Sequence, residues 1–133
     1  MTLYMLDTNI VSDLIRNPQG KPFKHIARVG EQNICTSIVV AAELRYGCIK
    51  SRSPRLLRAV ADVLGEITVL PFDAPADDHY GTIRCELEAV GKPIGGNDLL
   101  IAAHARATGA TIVTANDGEF KRVRGLNVEN WLA

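Results

Sequence analysis

Apolar and polar positions alternate along the chain in two rhythms. Short apolar runs of three to six residues read as buried strands, and longer stretches with apolar residues three and four apart read as helices. Residues 2–6 form the first run, Thr-Leu-Tyr-Met-Leu, followed by Asp7-Thr8-Asn9. Thr8 or Asp7 is placed to cap a helix to about Arg16, which stops before Asn17-Pro18. A second short helix is predicted over residues 21–29, and a strand from Asn33 to Thr36. Ser37 then caps an apolar helix running toward Lys50, and another helix opens at Ser53-Pro54 and reaches about Leu64. Ile67 to Phe72 reads as a strand, and Pro75 to Gly91 as a long helix. The loop 92–97 leads to a helix from Asp98 to about Thr108, closed by Gly109. Thr111 to Thr114 is a strand, residues 115–118 a turn, and Leu126 to Val128 a last edge strand.

Strands that alternate with helices predict a parallel sheet covered on both faces, with right-handed crossovers. The switch point falls between strands one and four if these are sheet neighbours. No repeat, low-complexity tract or linker interrupts the pattern, so residues 1–133 read as one domain. Hydrophobic residues make up 47% of the chain, which excludes a disordered or collagen-like protein. No apolar run approaches the ~20 residues of a membrane span, and the N-terminus lacks a secretory pattern. A cytoplasmic location is therefore the expectation.

Charge and cysteine usage narrow the chemistry. Fifteen basic residues balance fifteen acidic ones, which argues against indiscriminate polyanion binding. Cys35, Cys48 and Cys85 form no CxxC pair and read as buried small residues. His25, His79 and His104 share no HxxxH or HExxH spacing, so no ligand or catalytic role is assigned to them.

The acids carry the functional signal. Asp7 follows the first strand and Asn116-Asp117 follows the strand ending at Thr114, where ligands of an α/β sheet collect. Glu43 stands on a helix face otherwise made of Val39, Val40, Tyr46 and Gly47. Asp98 begins a helix that is apolar nearly all round. Each has an ordinary reading: caps for Asp7 and Asn97, dipole complementation for Asp98, a turn for Asn116-Asp117, a solvent-facing edge for Glu43. Their shared placement at the mouth of the sheet points instead to one site. Convergent carboxylates about 4 Å apart repel by ~4 kcal/mol near a protein surface. A hard divalent cation, Mg²⁺ or Mn²⁺, relieves that conflict with oxygen ligands and retained waters. Such a site suits phosphodiester hydrolysis.

Four segments resemble the PIN-domain ribonucleases, and most closely the VapC-type toxins of toxin–antitoxin pairs. They are Met5-Leu6-Asp7-Thr8-Asn9, Ala42-Glu43-Leu44-Arg45-Tyr46-Gly47, Pro93-Ile94-Gly95 with Asp98 to Ala105, and Ile112-Val113-Thr114 through Glu119-Phe120. They occur in the family's order and span nearly the whole chain. The resemblance implies a three-layer α/β/α sandwich around a parallel sheet of four to five strands. It implies Mg²⁺- or Mn²⁺-dependent cleavage of RNA, often a structured RNA such as tRNA. Asp7, Glu43 and Asp98 match the acidic triad. The family's fourth position falls on Asn116, with Asp117 beside it. Thr8, Asn9 and Thr114 match positions that support the metal and its waters. The family also forms homodimers and is held inactive by a small antitoxin whose C-terminal segment covers the acidic groove.

Arg16, Lys92, Arg106, Lys121, Arg122 and Arg124 are candidate phosphate contacts. Tyr46 and Trp131 read as core or edge packing. The reading is thus an endoribonuclease toxin. The alternatives are a non-catalytic antitoxin-binding or co-repressor module and a DNA-directed nuclease on the same fold.

Overall fold

The computed structural model describes residues 2–133 and shows a five-stranded, wholly parallel sheet in the order β3-β2-β1-β4-β5. The strands are β1 (Tyr4–Leu6), β2 (Ile34–Ser37), β3 (Thr68–Leu70), β4 (Thr111–Val113) and β5 (Val128–Glu129). The central strand aligns Tyr4 with Ile34 on one side and Thr111 on the other. Buried on both faces, β2 and β4 contain no exposed residue, as a covered parallel sheet requires.

Helix pairs fill the crossovers. α1 (Thr8–Arg16) and α2 (Lys21–Val29) join β1 to β2 through a 3-10 turn at Glu31–Asn33. α3 (Ile38–Ser51) and α4 (Pro54–Glu66) join β2 to β3, and these four helices pack together. α5 (Ala76–Ala89) and α6 (Gly96–Thr108) return from β3 to β4 and pack on each other. The direction of travel reverses there, so right-handed crossovers place α5 and α6 on the opposite face. The result is the expected α/β/α sandwich.

Local chemistry explains the boundaries. Asp7 caps α1, its carboxylate accepting from the Thr8 amide at 2.8 Å. The Ser37 hydroxyl caps α3 through the Val39 amide, and Ser53 caps α4 through Leu56. α6 ends at Gly109, whose φ of 72° is the left-handed conformation that favours glycine. Its buried face, Leu99, Ile101, Ala102, Ala103 and Ala105, is small enough to press closely against Ile83 and Leu87 of α5 and the sheet.

Several expectations need correction. α6 begins at Gly96, two residues before the predicted start, and Gly95 occupies the cap, so Asn97 is not its capping residue. Residues Asp117–Phe120 form a short helix, α7, where a turn was predicted. Cys35 and Cys48 are buried, but Cys85 is exposed on the outer face of α5. Trp131 is buried in the core, whereas Tyr46 is 64% exposed on α3. No helix among the described residues is long and apolar enough to cross a membrane.

Candidate active site

The predicted acids meet at the carboxyl ends of β1 and β4, the two strands between which the winding reverses. Asp7, the residue after β1, is only 2% exposed. Its amide donates to the Val113 carbonyl at 2.9 Å, which ties the turn to the end of β4. One carboxylate oxygen accepts from the Thr8 amide; the other accepts from the Thr114 hydroxyl at 2.7 Å and the Asn9 amide group at 3.4 Å. Burial pushes the Asp7 carboxyl above the usual range, the Thr114 and Thr8 hydrogen bonds oppose that shift, and the charge of Glu43 adds to it.

Thr114 is a shared junction. While donating to Asp7, its hydroxyl accepts from the Asn116 amide at 2.9 Å and from Asn9 at 3.4 Å. Asn9 in turn accepts from the Ala115 amide at 2.9 Å. The turn after β4 is therefore held against the turn after β1 by side chains from both.

Glu43 reaches the same place from α3. One oxygen accepts from the Thr8 hydroxyl at 2.7 Å, and the other from the Asn97 amide group at 3.2 Å. The solvent-facing alternative for Glu43 does not describe this geometry, because both oxygens are engaged by neighbours from α1 and α6. Asn97, set aside in the sequence as a cap, links Glu43 to the first turn of α6, where Asp98 stands.

Asp98 differs from Asp7. Asn116 donates to it at 3.1 Å, and the carboxylate of Glu119 lies against it. Its carboxyl is pushed up to about 7, first by burial, then by its hydrogen bond to Glu119, and then by the charges of Asp7, Glu119 and Glu43. Glu119 moves the other way: Asn116 donates to it and holds it below the usual carboxylate range. Glu119 also accepts from the Gly95 amide at 3.3 Å, which ties the loop before α6 to α7.

Sequence reading thus located Asp7, Glu43, Asp98, Asn116, Thr8, Asn9 and Thr114, all of which lie in this network. It placed no site role on Glu119 or Asn97. Glu119 stands three residues after Asn116, one helical turn, and only the four-residue α7 turns the two side chains together. Asp117 is directed elsewhere: its carboxylate pairs with Lys121 at 3.2 Å and accepts from Asn130 at 3.3 Å. Among the basic residues, Arg106 is a strut, donating to His79 at 2.8 Å and to the Arg124 carbonyl at 2.9 Å. Arg122 donates to the Pro93 carbonyl at 3.2 Å. Arg16, Lys92, Lys121, Arg122 and Arg124 are exposed.

The donor set is carboxylate, amide and hydroxyl oxygen, with no histidine or cysteine. Among the described residues, no three acidic, histidine or cysteine side chains close tightly enough to cage an ion by themselves. The oxygen-only donor chemistry is the kind that suits a hard ion such as Mg²⁺, which is held by one or two carboxylates and keeps several waters. It does not fit zinc or a fully dehydrated ion.

The PIN domain family model matches residues 4–126. The chain is similar to "Ribonuclease VapC2" of Haemophilus influenzae, with 41% identity over 99% of this chain and 100% of that protein. It is 42% identical to "tRNA(fMet)-specific endonuclease VapC" of Shigella flexneri, over 98% of this chain and 99% of that one. Among solved structures, it resembles a chain of VapBC2 from Rickettsia felis bound to a DNA fragment from the promoter, with a TM-score of 0.89 and 40% identity over 98% and 99% of the two chains.

Proposed function

The chain belongs to the PIN-domain family, in its VapC group, and from that premise we propose that it is an Mg²⁺- or Mn²⁺-dependent endoribonuclease acting as the toxin of a toxin–antitoxin pair. The observation that carries this reading is geometric: hydrogen bonds through Thr8, Thr114, Asn97 and Asn116 bring Asp7, Glu43, Asp98 and Glu119 from four separate segments to one end of the sheet. A pocket that confines Asp7, Glu43, Asp98 and Glu119 together is poorly suited to empty water and well suited to a divalent cation.

Asp7 and Asp98 would hold the ion, with Glu43 bonded to it directly or through water. When bound, the ion lowers the pKa of a water and offsets charge on the phosphate. The protein's own part is orientation. Thr8, Asn9 and Thr114 leave Asp7 one available direction, since both its oxygens already accept from them. Thr8 and Asn97 each engage one oxygen of Glu43 and fix the orientation of its carboxylate. Asn116 donates to both Asp98 and Glu119 and so fixes the pair in place. Lys92, Lys121 and Arg122 border the loop and short helix beside the acids and are placed to meet phosphates of a bound RNA. The similarity to a tRNA(fMet)-specific endonuclease makes a structured RNA, tRNA foremost, the proposed substrate class. The similarity to VapBC assemblies supports a small antitoxin as partner, and a homodimer is proposed as the functional unit.

The test is cleavage of a bulk tRNA fraction by the antitoxin-free protein, with mapping of new RNA ends. Cleavage with Mn²⁺ that stops on chelation is the expected result. Wild-type protein that leaves RNA intact in Mg²⁺ and Mn²⁺ would refute the nuclease reading and favour the co-repressor alternative.

A further inference from the structure

Behind the acids lies a second buried polar contact that takes no part in the site. His104 Nδ1 and the Ser37 hydroxyl are 2.7 Å apart, and both residues are essentially inaccessible, at 2% and 0% exposure. One belongs to the sheet and the other to a helix packed on it. Ser37 ends β2 and caps α3, six residues before Glu43. His104 lies on α6, six residues after Asp98. Each partner therefore sits about 9 Å along a helix axis from one of the acids. Together with the Asn97–Glu43 hydrogen bond, this contact links the two helices that carry them.

The surroundings fix its chemistry. The ring is packed edge-on against Phe72 at 5.4 Å, and burial lowers its pKa, opposed by the charge of Asp73 and a backbone hydrogen bond to Pro71. The Nδ1–hydroxyl pair is hydrogen-bonded in either tautomer of the ring, with the proton supplied by the hydroxyl or by the imidazole. The Ser37 oxygen in turn accepts from the Val39 amide at 3.0 Å. Cap, histidine and β3–α5 loop form one chain of directional contacts. An aliphatic residue at 104 would fill the space without fixing the rotation of α6 relative to α3. A hydrogen bond between fully buried groups does so, because leaving either partner unpaired is unfavourable.

We propose that His104 and Ser37 are positioning residues that set the Glu43-to-Asp98 register through helices α3 and α6. The proposal rests on the nuclease reading for its activity readout. The experiment compares wild type, His104→Leu, Ser37→Ala, the double variant and His104→Gln. It measures kcat and KM for RNA cleavage, thermal stability, and the backbone amide NMR shifts of Glu43 and Asp98. Misplacement of reacting groups by a fraction of an ångström to 1 Å lowers kcat by about 10- to 100-fold. That loss is expected for each single variant in its folded form, with KM little changed. The double variant should be no worse than either single one, and His104→Gln, which keeps an acceptor, should recover most of the rate. Folded single variants with wild-type kcat and unmoved Glu43 and Asp98 amides would overturn the proposal, as would singles whose losses multiply in the double. If His104→Leu does not fold, Ser37→Ala and His104→Gln decide it alone. If the wild type itself cuts no RNA, the nuclease reading fails separately. The amide shifts then judge the brace: displaced in Ser37→Ala and restored in His104→Gln supports it, and unmoved rejects it.

Discussion

The two halves of the acidic pocket are built on different principles. On the β1 side, the oxygens of Asp7 and Glu43 accept from Thr8, Asn9, Asn97 and Thr114, all neutral donors. On the α6 side, Asp98 and Glu119 lie against each other with Asn116 as their shared donor. The first half is oriented in advance; the second retains electrostatic repulsion. The contrast is between a wall oriented by neutral donors and a wall where one carboxyl is held directly against another.

The largest effect falls on the repulsive half. Asp98→Asn should lower RNA cleavage by about 1,000-fold or more, as expected for a group acting with others as a unit, while circular dichroism stays native. On the oriented half, Thr114→Val leaves Asp7 short of a donor and the Asn116 amide short of an acceptor. Cleavage should fall by about 10- to 100-fold, with a stability loss of about 1–3 kcal/mol in denaturant titration.

A pH experiment separates the halves further. A carboxyl raised in the folded state, from 3.8 to about 7 for Asp98, favours its protonated form there. Its contribution to stability is fully present below 3.8 and is lost as pH rises through 7. Metal-free wild type should therefore lose melting temperature between pH 5 and pH 8 relative to Asp98→Asn, and added Mg²⁺ should close that gap. Parallel melting curves across the range would show that the Asp98 carboxyl is not raised in the folded protein. The smallest effect belongs to Asp117, paired with Lys121 and Asn130: Asp117→Asn should cleave RNA within about twofold of wild type, since a largely exposed pair contributes little.

What the sequence made legible follows from local rules. Asp7 announces itself because an apolar strand ends on it, Ser37 because a hydroxyl precedes an apolar helix, and Gly109 because only a glycine closes a helix so readily in that conformation. The alternation of strands and helices likewise announced a parallel sheet, but the pairing of strands one and four, on which the switch point depends, came from the structure. What stayed hidden depends on contacts between distant segments. Glu119 joins the site only through α7, a helix too short to show a period. Asn97 looks like a cap until Glu43 approaches it from α3. His104 carries no ligand spacing, and its partner lies 67 residues away. Cys85 and Tyr46 are exposed because helical phase, not residue type, decides which face they occupy.

Calorimetric titration with Mn²⁺ tests the pocket as a single cation site most directly. Wild type and Asp117→Asn should bind alike, and Asp7→Asn and Asp98→Asn should each weaken binding by at least about tenfold. Equal affinity in all four proteins, or no binding by the wild type, would contradict the account.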